Sequence, residues 1–193
     1  MAVRKSQRTA VATGAVAAKA PEGLMVETRV VVKKGYDELL ERGYGRLLGK
    51  SLELSFVEAL YLLAKGRLIV KTGKKAISFN NALEQGMTKD PRLHVKYIAY
   101  SDLRDRGLLV KTGFKFGCDF RVYQRGVTLK RGPKSPEEHT KWVVFTVPED
   151  HTCSFQELSR AVRLAHSIRA KMLWAVVDNE SNVTYYSIMR SVL

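Results

Sequence analysis

The chain reads as an α/β protein in two parts: a small mixed α+β domain, then an α/β domain on a central mixed sheet. Three observations predict this. Two Ser-x-x-Glu boxes, Ser55-Phe56-Val57-Glu58 and Ser154-Phe155-Gln156-Glu157, each mark a helix start. The Ser hydroxyl and the Glu carboxylate satisfy early backbone N–H groups that have no partner inside the helix. Two continuous apolar runs, Trp142–Val147 and Met172–Val177, have the pattern of strands covered on both faces. The helix opened at Ser154 lies between them, and such a crossover joins strands that run parallel, or nearly so, in one sheet.

The elements follow in order. Residues 1–24 read as a flexible basic tail, with Arg4, Lys5, Arg8 and Lys19 among Ala, Val and Gly. The tail lacks the Leu/Phe-rich core of a strong secretory signal. Met25–Lys33 alternates loosely and is rich in Val, so it reads as one strand. The helix from Ser55 runs through Ala64, buries Phe56, Leu60 and Leu63, and stops near Gly66. Leu68–Val70 is a short strand, and Ser78 caps a helix through Glu84 that ends at Gly86. This first domain spans residues 25–90.

Asp90-Pro91 opens the second domain, residues 91–193, with Asp90 as helix cap and Pro91 in the first turn. Leu93, Tyr97, Tyr100 and Leu103 share one face of that helix, and Gly107 ends it. Strands Leu108–Lys111 and Asp119–Gln124 follow. Arg125–Glu138 is an exposed loop, rich in Gly and Pro. The helix from Ser154 reaches about Arg169 and buries Phe155, Leu158, Val162, Ala165 and Ile168. After Met172–Val177, Asp178–Asn182 turns and Val183–Met189 returns as a hairpin strand.

A chain of 193 residues holds one large domain or two small ones. Its hydrophobic content of 45% excludes wholesale disorder. No apolar run approaches the ~18 residues that a membrane span needs. The net charge is +14, from 33 Lys and Arg against 19 Asp and Glu. That surplus points to a polyanion, most simply nucleic acid. Charge alone does not separate RNA from DNA. Cys118 and Cys153 have no CxxC spacing and no clustering with His, which argues against a zinc site. They read as buried free thiols in a reducing cytoplasm, the alternative being a disulfide between them.

Three polar groups fall at element ends rather than inside apolar faces: Tyr123, His139 and Lys171. Tyr123 stands where a strand runs out into the basic loop. His139 stands where the loop re-enters the sheet, and Lys171 lies between the last long helix and a core strand. Each alone is ordinary; a lysine at a helix end commonly answers the helix dipole. Together they suit RNA cleavage through the substrate's own 2′-hydroxyl. One group takes the 2′-OH proton, one protonates the leaving 5′ oxygen, and a cation steadies the phosphorane. A free tyrosine ionises near pH ~10, so a tyrosine in this set acts as base only if its neighbours help, and otherwise orients the 2′-OH. His94, His151 and His166 have no partner at a suggestive spacing. Asp119 and Asp178 are isolated, so a Mg²⁺-dependent restriction-type site is absent from the pattern.

Several separate stretches agree with one family. Val110–Gly117 with Phe120-Arg121-Val122-Tyr123, then His139-Thr140, then Val162–Arg169 running to Lys171, then Ala175-Val176-Val177-Asp178, are similar in order and wording to archaeal tRNA-splicing endonucleases. Ser55–Leu63 and Tyr97–Arg106 resemble the family's first domain. The resemblance covers most of residues 44–190 and makes the second domain a nuclease domain.

The resemblance implies cleavage of precursor tRNA at bulge–helix–bulge splice sites, without metal or cofactor. It implies Tyr123 as general base, His139 as general acid and Lys171 as the transition-state cation. The family also stacks a flipped base between two arginines. Arg163 and Arg190 are the candidates here, and Arg169 is able to replace either. The segment between Tyr123 and His139 is longer than in compact relatives and carries Lys130, Arg131 and Lys134. Such a loop is similar to that of members built from two different subunits, and it reads either as a solvated insert or as an RNA grip. The implied assembly is a heterotetramer with a second, structural subunit, the alternative being a homotetramer. A non-catalytic structural subunit of the same complex is the rival reading.

Overall fold

The computed structural model describes residues 20–129 and 138–191. The first domain is a six-stranded sheet carrying three helices. Its strands are β1 (Glu22–Val26), β2 (Arg29–Val32), β3 (Arg46–Leu48), β4 (Ser51–Ser55), β5 (Ile69–Thr72) and β6 (Lys75–Ala76). They lie in the order β3-β4-β2-β1-β5-β6, antiparallel except where β1 meets β5. Helices α1 (Asp37–Glu41), α2 (Phe56–Ala64) and α3 (Phe79–Met87) complete it. The second domain begins with α4 (Leu93–Asp105) and a five-stranded mixed sheet. That sheet contains β7 (Leu109–Thr112), β8 (Phe120–Tyr123), β9 (Trp142–Pro148), β10 (Lys171–Val177) and β11 (Val183–Ile188), with α5 (Phe155–Ser167) as the crossover. The order is β11-β10-β9-β8-β7. β9 and β10 are parallel, as the crossover requires, and the other pairs are antiparallel.

The two apolar runs are explained by what covers the second sheet. Val144, Ala175 and Val177 share one core cluster with α4, while Val143 and Met172 pack with Ala161 and Ala165 of α5. Alternate residues therefore face different helices, which is why both runs stay apolar on either face. The first cluster continues through α2 into the first domain. Four rings mark the route: Tyr44 to Tyr61 at 6.2 Å, Tyr61 to Tyr100 at 5.7 Å, and Tyr100 to Phe120 at 5.5 Å between centroids. Polar ties run beside it. The Tyr61 hydroxyl donates to Asp105 at 2.8 Å, and Lys111 Nζ donates to the Gly45 carbonyl at 2.7 Å. Burial pushes the Lys111 ammonium below the usual lysine range.

The Ser55 box forms with an added duty. Glu58 is buried and accepts from the Ser55 N–H at 2.9 Å, the Ser55 hydroxyl at 2.7 Å and the Gly45 N–H at 3.0 Å. One carboxylate thus caps α2 and pins the loop after α1. The box at Ser154 also forms, with Glu157 accepting from the Ser154 N–H at 2.8 Å.

Several expectations are corrected. Met25–Lys33 is a hairpin, not one strand: Glu27 adopts φ 52 and the chain reverses between Val26 and Arg29. The first strand also begins at Glu22, inside the stretch read as tail. Asp90 does not cap α4 directly. Its carboxylate takes the Arg92 N–H at 3.1 Å and Lys96 Nζ at 2.7 Å, so the helix starts at Leu93. Gly86 does not end α3 but lies within it, where a Cβ would sit 2.3 Å from Phe56 and Leu93. Glycine serves close approach there, not termination. Phe155 is 90% exposed, because α5 seats on the sheet through small Ala161 and Ala165. Cys153 is exposed, whereas Cys118 is buried, its thiol pushed by burial up to about 11. Both are free.

Candidate active site

The second sheet places the segments that carry the three candidates side by side at one end of β8, β9 and β10. Tyr123 is the last residue of β8. Val122, its neighbour, pairs with Trp142 at the start of β9, and Trp142 pairs with Lys171 at the start of β10. The Lys171 N–H donates to Lys141 O at 2.9 Å, and the Lys141 N–H donates to Val122 O at 2.9 Å. His139 enters two residues before Lys141. With strands about 4.8 Å apart, the backbones of Val122 and Lys171 are about 10 Å from each other.

The local structure at each position has a cause. Leu109 of β7 pairs with Tyr123 and closes the outer flank of β8. Tyr123 is 1% exposed, so its ring is fixed by packing. Lys171 and His139 are exposed. The turn delivering Lys171 places Arg169 at φ 55, with the Ala170 N–H bonded to Ala165 O at 2.9 Å. This is a left-handed helix stop made without glycine.

The arginine candidates are all exposed. Ile188 of β11 pairs with Met172, so exposed Arg190 follows the strand out at the Lys171 end. Arg163 is exposed one turn before the end of α5, and Arg169 is exposed in the turn itself. Lys130, Arg131 and Lys134 lie outside the described residues. Among the described residues, no group of three His, Cys, Asp or Glu side chains is placed to hold a metal ion. Asp119, isolated in sequence, is an internal anchor. It accepts from Arg92 at 2.9 Å and from the Thr146 N–H at 2.8 Å, at the opposite end of β8 from Tyr123. Among the described residues, no helix is long and apolar enough to cross a membrane.

The sequence pattern missed one part of this surface. Arg104 and Arg125 both border the Gly107–Leu108 turn beside β7. Arg104 meets the turn locally, four residues before Leu108, whereas Arg125 reaches it only through the β7–β8 pairing.

The second domain is an α/β domain in which the segments carrying Tyr123, His139 and Lys171 adjoin at one end of three neighbouring strands. Residues 93–185 match the tRNA intron endonuclease catalytic C-terminal domain, and residues 22–83 match the N-terminal domain of the same enzymes. The chain belongs to the tRNA intron endonuclease family. It is 40% identical over 157 residues to the tRNA-splicing endonuclease of Thermococcus onnurineus, covering 81% of this chain and 86% of that protein. It is 42% identical over 149 residues to the tRNA-splicing endonuclease of Pyrococcus furiosus, covering 77% and 82%. The tRNA-splicing endonuclease of Nanoarchaeum equitans is 43% identical over 135 residues, covering 70% and 88%.

Proposed function

We propose that this chain excises introns from precursor tRNA by cutting bulge–helix–bulge splice sites, without a metal ion. Tyr123 takes the proton of the 2′-OH as its oxygen attacks phosphorus. The bond from phosphorus to the 5′ oxygen breaks, His139 protonates that oxygen, and Lys171 balances the charge gathered on the phosphorane. The products are a 2′,3′-cyclic phosphate and a 5′-OH. A bulge permits in-line geometry that a regular A-form helix forbids, and it exposes bases for stacking between Arg163 and Arg190.

The observation that carries this reading is the register Val122–Trp142–Lys171, which ends three candidate-bearing segments on one edge. Exposure of His139 and Lys171 supports their contact with a bound phosphodiester, whereas Tyr123 is buried and takes the 2′-OH proton only once RNA binding uncovers its hydroxyl.

An intron has two ends, and the chain carries one set of candidates, so the working enzyme is an assembly. We read it as a heterotetramer with a structural subunit, the alternative being a homotetramer. Supporting a contact at β11 are its place at the edge of the sheet and the exposure of Tyr186 and Met189. The exposed Glu149-Asp150 loop suits docking into a basic cleft of a neighbour. Solution mass and cleavage rate of the purified chain test this. Poor activity alone, restored by a second subunit, is expected; a fully active homotetramer overturns the heteromeric reading. Single-turnover cleavage by His139→Ala tests the site, with a loss of roughly 10²-fold expected. A larger loss in His151→Ala or His166→Ala contradicts the assignment.

A further inference from the structure

We propose that Arg104 and Arg125 form a second RNA-phosphate grip, at the seam between the domains on the β7 side of the cleavage edge. The proposal rests on the reading of the chain as a precursor-tRNA endonuclease. Arg125 leaves β8 two residues after Tyr123, and its side chain lies about 3.9 Å from where a Cβ on Gly107 would stand. Arg104 reaches the same turn from the end of α4. It donates to Leu108 O at 3.4 Å and to Arg42 O at 3.0 Å. Its guanidinium also lies 3.9 Å from the centre of the Tyr44 ring. These contacts fix the guanidinium plane but are all with neutral groups, so its charge is not cancelled.

The carboxylates nearby are already engaged. Glu38 pairs with Arg42 at 2.9 Å and with Arg67 at 3.1 Å. Asp102 pairs with Arg106 at 2.6 Å, and Asp105 with Lys65 at 3.0 Å. Glu41 at the end of α1 is exposed and trims the surplus without facing either guanidinium in an ion pair. Among the described residues, Arg104 and Arg125 form no ion pair with a carboxylate, Arg104 bonding only carbonyl oxygens and the Tyr44 ring.

Their position decides what they meet. β7 is three strand spacings from β10, about 14 Å. That is about four nucleotide steps along a stacked strand at ~3.4 Å each. The seam therefore lies within reach of RNA flanking a phosphate held between His139 and Lys171. Guanidinium contacts there read the backbone and not the sequence.

The test measures binding of a bulge–helix–bulge RNA with a 2′-deoxy nucleotide at each cut position, which removes the nucleophile. Affinity is followed by fluorescence anisotropy across a salt series. Arg125→Ala is expected to weaken binding and to lower the salt slope by about 0.9, the value for one duplex phosphate. Arg125→Glu weakens it further. Lys50→Ala, which removes an exposed charge from the β3–β4 turn, leaves the slope unchanged. Arg104→Gln lowers the slope likewise, with thermal melting as the check that the seam is intact. Wild-type affinity and slope in both Arg125 variants overturn the proposal. So does an equal loss in Lys50→Ala, which makes the effect one of net charge. Cleavage of the all-ribose RNA by the wild-type assembly is read separately, so failure of the endonuclease reading is distinguishable from failure of the grip.

Discussion

Lys171 hydrogen-bonds through its backbone N–H to the carbonyl of Lys141 at 2.9 Å, two residues past His139. The start of β10 is therefore locked to the segment that carries the candidate general acid, and the Lys141 N–H extends the lock to β8. The relative placement of the β8 and β10 ends is set by sheet register, while His139 stands in the bend just before β9. A one-residue slip would turn every side chain of the strand to the other face, into α4 or α5, and scatter the site.

Tyr123→Phe separates chemistry from packing. The ring fills a buried position, and phenylalanine preserves its volume. Melting temperature should change little while single-turnover cleavage falls by roughly 10²-fold or more. A variant that melts early and cleaves normally would assign Tyr123 to the core alone.

Glu58→Ala should destabilise the first domain by about 2–4 kcal/mol. The change removes the carboxylate that accepts from the part-buried N–H groups of Ser55 and Gly45 and from the Ser55 hydroxyl. Urea unfolding gives the value, and a shift under about 0.5 kcal/mol would mean that water replaces the carboxylate.

Asp105 ties the two domains and makes stability depend on acid. Burial opposes its ionisation, but hydrogen bonds from Lys65 and Tyr61 outweigh that and hold the carboxyl below its usual range. A depressed folded pKa gives stability that is present above the unfolded value, about 3.9, and is lost as pH falls through the folded one. Asp105→Asn should therefore melt below wild type at pH 7, with the gap closing in stronger acid. The carboxylate is half exposed, which keeps the effect to about 1 kcal/mol or less. A gap that widens on acidification would contradict the tie.

Lys130, Arg131 and Lys134 give a separate salt prediction. If the loop grips RNA, the triple alanine variant loses a slope of about 0.7 per contact on single-stranded segments. An unchanged slope returns the loop to a solvated insert.

Much of this fold is legible in the residues. The Ser-x-x-Glu boxes placed α2 and α5, and the paired apolar runs gave the parallel core of the second sheet. β3 and β4 were not read, because they are short and joined by a tight Gly49-Lys50 turn, with Gly49 at φ 57. The hairpin at Glu27 was hidden because a non-glycine residue takes the left-handed turn position. Tyr123, His139 and Lys171 stood out by lying at element ends. Their alignment depends on the β8–β9–β10 register, which no local pattern encodes. Arg125 is hidden for the same reason: it reaches the Gly107–Leu108 turn, which Arg104 borders locally, only after β7 and β8 have paired.

The central claim is that side chains on this edge, and no metal, drive attack by the substrate's own 2′-oxygen. The direct measurement is cleavage of a bulge–helix–bulge RNA by the assembled enzyme in excess EDTA, with both product ends identified. The account predicts undiminished cleavage giving a 2′,3′-cyclic phosphate and a 5′-OH. Cleavage that stops in EDTA and returns with Mg²⁺, leaving a 3′-OH and a 5′-phosphate, would contradict it.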